Sequence, residues 1–346
     1  MPNAPSFWWN APGPAILLWP LAAAWGAGAT ARMRRRPQVR PPVAVVCVGN
    51  YVVGGAGKTP AVIELARIAR ALGLKPGILA RGYGGRVIAP VLVDPAHHRA
   101  SSVGDEALLL AIAAPTVVSS DRAAGARRLL DEDVDLVLLD DGFQDPTLAK
   151  DVRIVAVDAS VGIGNGHILP LGPLRAPLRA QMLLTDAMLV IGQGKAAEPL
   201  VRLAARAGRP VLRAVLTPVT TREWRKGKFF AFAGIGRPQK FFDSLIQVGA
   251  TLTRARPFPD HHVFTPAEAE ELIAAADLDG CRLVTTEKDM ARLAGASGAL
   301  AELRERTEVF AVTLEFDNPA AVEEMIAAAV RKAHLSGAGY GDWFSA

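Results

Sequence analysis

The sequence has only two cysteines, no acidic residue before Glu64 and no charged side chain in its first 31 positions. The two cysteines, Cys47 and Cys281, exclude a disulfide scaffold and a four-cysteine zinc site, and each lies in an apolar run typical of a buried strand. Hydrophobic residues make up 50% and charged residues 21% of the chain, which excludes a disordered protein. The length of 346 residues suits about two domains with substantial cores.

The net charge of +5 is concentrated near the N-terminus. Residues 1–63 carry a charge of +6, and the remaining 283 residues carry −1. A nucleic-acid-binding protein would spread its basic charge over the folded domain, so the distribution argues against a nucleic-acid partner.

The uncharged N-terminal segment has the composition of a membrane helix. Its apolar run, residues 15–31, is followed at once by the basic cluster RMRRR. Tryptophan prefers the membrane interface, and four of the six tryptophans lie in this segment: Trp8, Trp9, Trp19 and Trp25. A cleaved signal peptide would carry its positive charge before the apolar run. We therefore expect residues 1–36 to form a membrane-anchoring helix.

The depth of this helix is open. A spanning helix needs about 20 apolar residues, whereas this run has 17 and contains Pro20. An interfacial or half-inserted helix fits best, with a true span and a helix packed on the protein itself as alternatives. In either membrane arrangement the arginines place the following domain in the cytoplasm.

A phosphate-binding loop follows. The strand-like run PPVAVVCVGN leads into a glycine-rich turn, Gly-Lys-Thr and the helical pattern AVIELARIARALG. In such a loop the backbone N–H groups and the helix N-terminus hold a phosphate chain, while Lys58 reaches the β- and γ-phosphates and Thr59 ligates Mg²⁺. The expected nucleotide-binding residues are Asn50, Gly54, Gly55, Ala56, Gly57, Lys58 and Thr59. The loop departs from the usual pattern at Val52, which stands where a glycine is common.

The strands that follow alternate with helical stretches. This alternation predicts an α/β fold: a P-loop NTPase-like parallel sheet with helices on both faces and ligands at the carboxyl ends of the strands. The apolar run VDLVLLDD ends in Asp140 and Asp141, which is typical of a Walker B carboxylate that holds Mg²⁺. Asp105 and Glu106 begin a predicted helix, where an acidic first turn has a structural explanation as well.

A smaller α/β domain is predicted for the rest of the chain. The expected division is an anchor (1–36), a P-loop core (37–215) and a C-terminal domain (216–346), with a last helix that packs back on the core as an alternative. The motif PDHH lies in a loop of that last domain. The motif TTEKD has the wrong spacing for guanine recognition; it predicts a helix start, with nucleotide contact as the alternative.

Taken in order, the motifs resemble those of the tetraacyldisaccharide 4'-kinases, which phosphorylate the lipid A precursor. They extend from about residue 44 to 290 and comprise VGNYVVGGAGKTP, ARGYGG, VGDEALLL, LDDGFQD, GNGHILPLGPLR, FAGIGRPQKFF, FPDHHVF and TTEKD. The resemblance implies transfer of the ATP γ-phosphate to the 4'-hydroxyl of a tetraacylated glucosamine disaccharide. It further implies Mg²⁺, lipopolysaccharide biosynthesis and the cytoplasmic face of the bacterial inner membrane, with no obligate protein partner.

The resemblance also implies roles for individual residues. Asp105 is the expected catalytic base and His261 its partner, with His262 as the alternative. Because these residues come from different predicted domains, the pair requires the domains to meet across a cleft that opens and closes. The other implied catalytic residues are Lys58 and Asp141. The implied metal ligands are Thr59, Asp140, Asp141 and Gln144, and the implied substrate contacts are Arg81, Tyr83, Glu106 and Arg175. Ala176 stands where many family members have a glutamate near the metal.

Two other functions are compatible with the residues alone. A membrane-associated switch ATPase or GTPase acting through protein partners would explain the loop, the aspartates and the helix, but would not need PDHH. A small-metabolite kinase or ligase with an unrelated hydrophobic N-terminus is the third possibility.

Overall fold

The computed structural model describes residues 5–82, 85, 87, 89–219 and 224–335. The implied substrate contact Tyr83 lies outside the described residues. The strands are β1 (Ala44–Asn50), β2 (Pro76–Ala80), β3 (Val91–Leu92), β4 (Thr116–Val118), β5 (Leu136–Asp140), β6 (Val152–Asp158), β7 (Ala187–Ile191), β8 (Val211–Pro218), β9 (Lys228–Ala233), β10 (Thr251–Pro257), β11 (Arg282–Thr286), β12 (Thr307–Phe310) and β13 (Val312–Phe316).

Helices alternate with these strands over most of the described chain. They are α1 (Trp19–Met33), α2 (Lys58–Ala71), α3 (Ala100–Val103), α4 (Asp105–Ala113), α5 (Arg122–Leu130), α6 (Leu178–Leu184), α7 (Glu198–Arg206), α8 (Pro238–Gln247), α9 (Pro266–Asp279), α10 (Glu287–Arg292), α11 (Ala299–Arg306) and α12 (Pro319–Leu335). Short 3₁₀ helices cover Ser6–Trp8, Gly13–Leu18 and Trp224–Lys226.

The larger sheet confirms the predicted α/β fold. Within the described residues it has nine strands in the order β13-β8-β7-β6-β1-β5-β2-β4-β3. Strand β1 lies between β5 and β6 and is buried along its whole length, as its β-branched composition predicts for a central parallel strand. The edge strands β3 and β13 pair antiparallel with their neighbours, which the sequence patterns did not indicate.

The smaller sheet has the order β10-β9-β11-β12, and all its described pairs are parallel. After the smaller sheet the chain returns to the larger one. There β13 pairs with β8, and α12 packs against β1 and α2. Helix α10 of the smaller sheet packs against α4 of the larger one. The carboxyl ends of the central strands therefore face the neighbouring α/β unit.

Helix α1 lies on the outside of this assembly. The segment Gly13–Met33 is the one helix in the described part of the chain that is long and apolar enough to cross a membrane. Only 11% of its most apolar stretch of 18 residues is buried inside the protein. Leu17 and Leu21 on this segment are 83% and 61% exposed. Ala22 and Gly26 of this helix face inward, and a side chain added at Gly26 would collide with Ile168.

Candidate active site

The predicted phosphate-binding loop joins β1 to α2 at the centre of the larger sheet. Gly57 precedes α2 with φ +80°, a left-handed conformation that favours glycine, and no side chain caps the helix. The first N–H groups of α2 are therefore available to an anion. Gly54 and Gly55 are exposed at the tip of the loop, whereas Ala56 and Thr59 are buried beneath it.

The loop is held from within by Asn50. This buried side chain accepts a hydrogen bond from Val52 N at 3.0 Å and donates one to Gly54 O at 3.2 Å. Val52 itself forms a bridge with Leu174, and Val53 N donates to Pro173 O at 2.9 Å. The valine that replaces the usual glycine thus ties the phosphate loop to the GPLR segment.

Arg175 of that segment holds Asp141. Its guanidinium donates to both carboxylate oxygens of Asp141 at 2.8 and 3.0 Å, and its Nε donates to Val52 O at 3.0 Å. Lys58 Nζ lies 3.7 Å from Asp141 Oδ1. Burial favours a raised pKa for Asp141, but the charges of Lys58 and Arg175 outweigh it and lower the pKa to about 2. Asp141 is therefore an anion that holds two cations beside the loop.

Asp140 has a different environment. It aligns with Val48 of β1 and is 5% exposed, and its Oδ1 atom has no hydrogen-bond partner among the described residues. Burial, together with the charges of Glu106 and Asp141, raises its pKa to about 7. A buried carboxylate oxygen without a donor is suited to a cation.

Gln144 has its amide group engaged within the protein. Its Nε2 donates to Asn50 O at 2.7 Å and to Gln181 Oε1 at 2.9 Å, while Arg175 Nη1 lies 3.4 Å from its Oε1. Ala176 is fully buried, and its carbonyl accepts from Gln181 Nε2 at 2.8 Å. Gln181, which the sequence did not single out, therefore connects these two segments below the loop.

Asp105 and His261 are brought together at the contact between the two sheets. Asp105 is the first residue of α4 and is 3% exposed, and His261 Nδ1 lies 3.2 Å from its Oδ2. His261 has φ +58°, an uncommon conformation for a side chain larger than glycine. His262 faces away and lies 3.0 Å from Glu268. The structure therefore brings His261 to Asp105 and directs His262 elsewhere.

The pair is electrostatically matched. Burial of Asp105 favours a raised pKa, but the hydrogen bond to His261 and the charge of Arg292 outweigh burial and lower it. The same hydrogen bond raises the pKa of His261. Both residues are thereby stabilised in their charged forms.

Helix α10 supplies two cations that the sequence reading missed. Lys288 Nζ lies 2.5 Å from Glu106 Oε1, and Arg292 Nε donates to Asp105 Oδ2 at 2.7 Å. The two cations are four residues apart, so they lie on one face of the helix, opposite adjacent acids at the start of α4. The motif TTEKD predicted the start of this helix, whereas nothing in the sequence around Arg292 indicated that it contacts Asp105.

The implied site residues thus divide into groups. The loop, Asp140, Asp141 and Arg175 lie at the carboxyl ends of the central strands, and Glu106 lies beside Lys288. Arg81 is exposed just beyond the end of β2, and within the described residues it forms no hydrogen bond or ion pair with this cluster.

A groove separates α1 from the GNGHILPLGPLR segment. It has a volume of about 550 Å³ and is lined by Trp19, Ala22, Gly26, Ile168, Leu171 and Pro177, among others. At its side Trp25 Nε1 donates to Arg175 O at 3.1 Å. The groove therefore adjoins the segment that holds Asp141.

Comparisons with known proteins agree over nearly the whole chain. A family model described as tetraacyldisaccharide-1-P 4'-kinase matches residues 14–331. A relative from Allorhizobium ampelinum, named tetraacyldisaccharide 4'-kinase, is 47% identical over 331 residues, covering 94% of this chain and 96% of its own. A relative of the same name from Methylobacterium nodulans is 48% identical over 321 residues, with coverages of 92% and 93%.

A solved structure has the same fold. The crystal structure of LpxK from Aquifex aeolicus, described as an "apo" form in complex with ATP, superposes with a TM-score of 0.70 at 23% identity. The match covers 91% of this chain and 98% of that one.

Proposed function

This chain belongs to the tetraacyldisaccharide-1-P 4'-kinase family, and we propose how its residues carry out the reaction of that family. It is a lipid A 4'-kinase, which excludes the switch-protein and small-metabolite alternatives. The reaction moves a phosphoryl group from ATP to the 4'-hydroxyl of a tetraacylated glucosamine disaccharide. The observation that carries the assignment of roles is the convergence of the phosphate loop, Asp141 and the Asp105–His261 pair at one edge of the larger sheet.

ATP is the proposed phosphoryl donor. The uncapped N-terminus of α2 and the exposed glycines of the loop suit its β- and γ-phosphates, with Lys58 neutralising the charge that develops on them. Asp141, which Arg175 holds in place, keeps Lys58 close to the loop. Asn50 contributes indirectly, because its hydrogen bonds hold the loop backbone from the inner side.

Mg²⁺ fits the oxygen groups around Asp140. No cluster of three or more His, Cys, Asp or Glu side chains able to hold a metal occurs in the described ranges, which suits an ion that keeps several water and phosphate ligands. The unpartnered Oδ1 of Asp140 and the Thr59 hydroxyl would hold it, with Asp141 and Gln144 as the remaining candidates. When bound, Mg²⁺ supplies charge neutralisation at the transferring phosphate.

Asp105 is the proposed general base, and His261 orients its carboxylate. The acceptor hydroxyl would approach Oδ1 of Asp105, lose its proton to the pair and attack the γ-phosphorus, while the bond to the ADP leaving oxygen breaks. Because the transition state of phosphoryl transfer is loose, accurate placement of the hydroxyl matters more than the strength of the base. We propose that the chain's anchor, P-loop core and smaller α/β unit meet here to assemble the site.

The lipid substrate suits the groove beside α1. Apolar side chains line it, and the GPLR segment links it to Asp141, so an acyl chain held there would keep the sugar near the phosphate loop. We place the exposed apolar face of Gly13–Met33 in the membrane interface, at the cytoplasmic face of the inner membrane. The arginines that follow would contact anionic head groups. Arg81 and Tyr83 are further candidates for substrate contact.

The direct test is transfer of radiolabelled phosphate from ATP to a tetraacylated disaccharide 1-phosphate in detergent micelles, followed by thin-layer chromatography. The proposed roles predict Mg²⁺-dependent labelling that Asp105→Asn reduces strongly. Full labelling by a folded Asp105→Asn protein would contradict the assignment of the base.

A further inference from the structure

Arg292 makes a contact with Asp105 that the roles assigned so far leave unexplained. It is the last residue of α10, and its side chain is 7% exposed. Nε donates to Asp105 Oδ2 at 2.7 Å, and Nη2 lies 2.5 Å from the same oxygen. A buried guanidinium from one sheet thus contacts the proposed base on the other.

The position of Arg292 is fixed by Asp289, one turn earlier on α10. Arg292 Nη1 donates to Asp289 Oδ1 at 2.6 Å. Asp289 is fully buried and also accepts hydrogen bonds from Gly234 N at 3.0 Å and Thr286 Oγ1 at 2.7 Å. A buried carboxylate of this kind needs a cation and several donors, and here they hold the arginine in one orientation. This gives Asp289 of the TTEKD motif a specific task.

The same network holds His261. Gly234 O accepts from Arg292 Nη1 at 2.6 Å and from His261 N at 3.0 Å. One carbonyl therefore holds both residues that contact Asp105 Oδ2. The smaller unit presents histidine and arginine as a preset pair, and the left-handed conformation of His261 is part of that arrangement.

The two carboxylate oxygens of Asp105 consequently have different tasks. Oδ2 is occupied by His261 and Arg292. In the described chain Oδ1 accepts one hydrogen bond, from Glu106 N at 2.9 Å, and retains a lone pair for the acceptor hydroxyl.

We propose that Arg292 is a positioning residue for phosphoryl transfer: held by Asp289, it fixes Oδ2 of Asp105 so that Oδ1 faces the acceptor hydroxyl. The proposal rests on Asp105 being the base. Since Arg292 comes from the smaller unit, the base is fully oriented only when α10 lies against α4. Arg292 acts through Asp105 and has no part in the phosphate loop.

The experiment is a double-mutant cycle on kcat, with Arg292→Gln, Asp105→Asn and the double variant. We expect Arg292→Gln alone to lower kcat by about 10- to 100-fold with little change in KM for ATP, since it disturbs the base without removing it. In the Asp105→Asn background the same change should have almost no further effect. Arg292→Lys should recover part of the loss.

A pH profile separates positioning from simple structural support. The charged groups facing Asp105 are His261 from the PDHH loop, Arg292 and Lys288 from α10, and Glu106 beside it on α4. Without Arg292 the carboxyl titrates at higher pH, so the acid limb of the kcat profile should move toward neutral pH. A merely structural role would leave that limb in place.

Controls address folding. Arg254→Gln removes a more exposed ion pair, with Asp279 at 2.5 Å, in the smaller unit and away from the site, and should retain wild-type kcat. If Arg292→Gln leaves Asp289 as an unpaired buried charge and fails to fold, Arg292→Gln combined with Asp289→Asn removes both charges and should show the same loss in kcat.

Three outcomes are distinguishable. Full activity of Asp105→Asn would overturn the base itself. An inactive Asp105→Asn with a fully active Arg292→Gln would overturn only the inference about Arg292. Additive losses in the double variant, or an unchanged acid limb, would likewise overturn it.

Discussion

Asp105 and His261, 156 residues apart in the sequence, meet with His261 Nδ1 at 3.2 Å from Asp105 Oδ2. The carboxylate lies at the start of a helix on the larger sheet, and the imidazole lies in a loop of the smaller one. Contact between the two units therefore completes the proposed base. Any motion that separates α4 from α10 would take it apart.

Lys58 provides the simplest test of the phosphate site. Lys58→Ala removes the ammonium that lies 3.7 Å from Asp141 Oδ1, so we expect kcat to fall by at least about 10²–10³-fold, the scale of losing one donor to the transition state. Circular dichroism should show an intact fold. Lys75→Ala, at an exposed ion pair with Asp133, is the matched control and should be fully active. Near-wild-type turnover by Lys58→Ala would refute the site.

Asp140 should determine the metal requirement. Its unpartnered buried oxygen predicts that Asp140→Asn raises the Mg²⁺ concentration for half-maximal activity by more than about tenfold, on the scale of a changed metal contact. Titration of activity with MgCl₂ at saturating ATP measures this, and chelation by EDTA should stop wild-type turnover. An unchanged Mg²⁺ curve for Asp140→Asn would mean that other groups hold the ion.

The charge of His261 should make the contact between the units pH-dependent. The pKa of His261 is raised in the folded protein by its hydrogen bond to Asp105, and Asp260 and Arg292 also act on it. The stabilisation is then fully present below the ordinary histidine pKa of about 6.5 and is lost as pH rises through the raised value. The Tm difference between wild type and His261→Gln should therefore shrink from pH 6 to pH 9. A difference that grows with pH would contradict the pairing.

The exposed face of the N-terminal helix should control membrane binding. Leu17→Asp with Leu21→Asp removes two exposed leucines, each worth about 1.5–3 kcal/mol when buried. We expect the variant to lose flotation with phosphatidylethanolamine–phosphatidylglycerol vesicles while still binding ATP. Leu278→Asp, at an equally exposed leucine on α9, is the control. Unchanged flotation of the double variant would place the membrane contact on another surface.

Much of the fold follows from local sequence signals. The β-branched run before Asn50 and the apolar run before Asp140 predicted two central strands, and Gly57 followed by Lys58 predicted the loop and its helix. These signals work because burial on both faces and a left-handed turn each restrict the residue types that fit. Helix α9 begins at a comparable local pattern, TPAEAEEL, in which a capping box joins Thr265 and Glu268.

The remaining features depend on contacts that no local pattern encodes. Arg292 and Asp105 are 187 residues apart, and Trp25 and Arg175 are 150 apart. An arginine at the end of a helix is already explained by its interaction with the helix dipole. The sequence around Arg292 therefore did not indicate its contact with the other unit. The two-residue edge strand β3 was too short to be recognised by periodicity.

The most direct test of the central claim is a double-mutant cycle on Asp105 and His261, read as kcat for phosphate transfer to the tetraacylated disaccharide 1-phosphate at saturating ATP. Asp105→Asn and His261→Gln should each lower kcat by about 10²–10⁴-fold with ATP affinity nearly unchanged. If the two act as one base, the double variant loses little more than the worse single variant. Strictly additive losses, or a single variant that weakens ATP binding without slowing saturated turnover, would contradict that account.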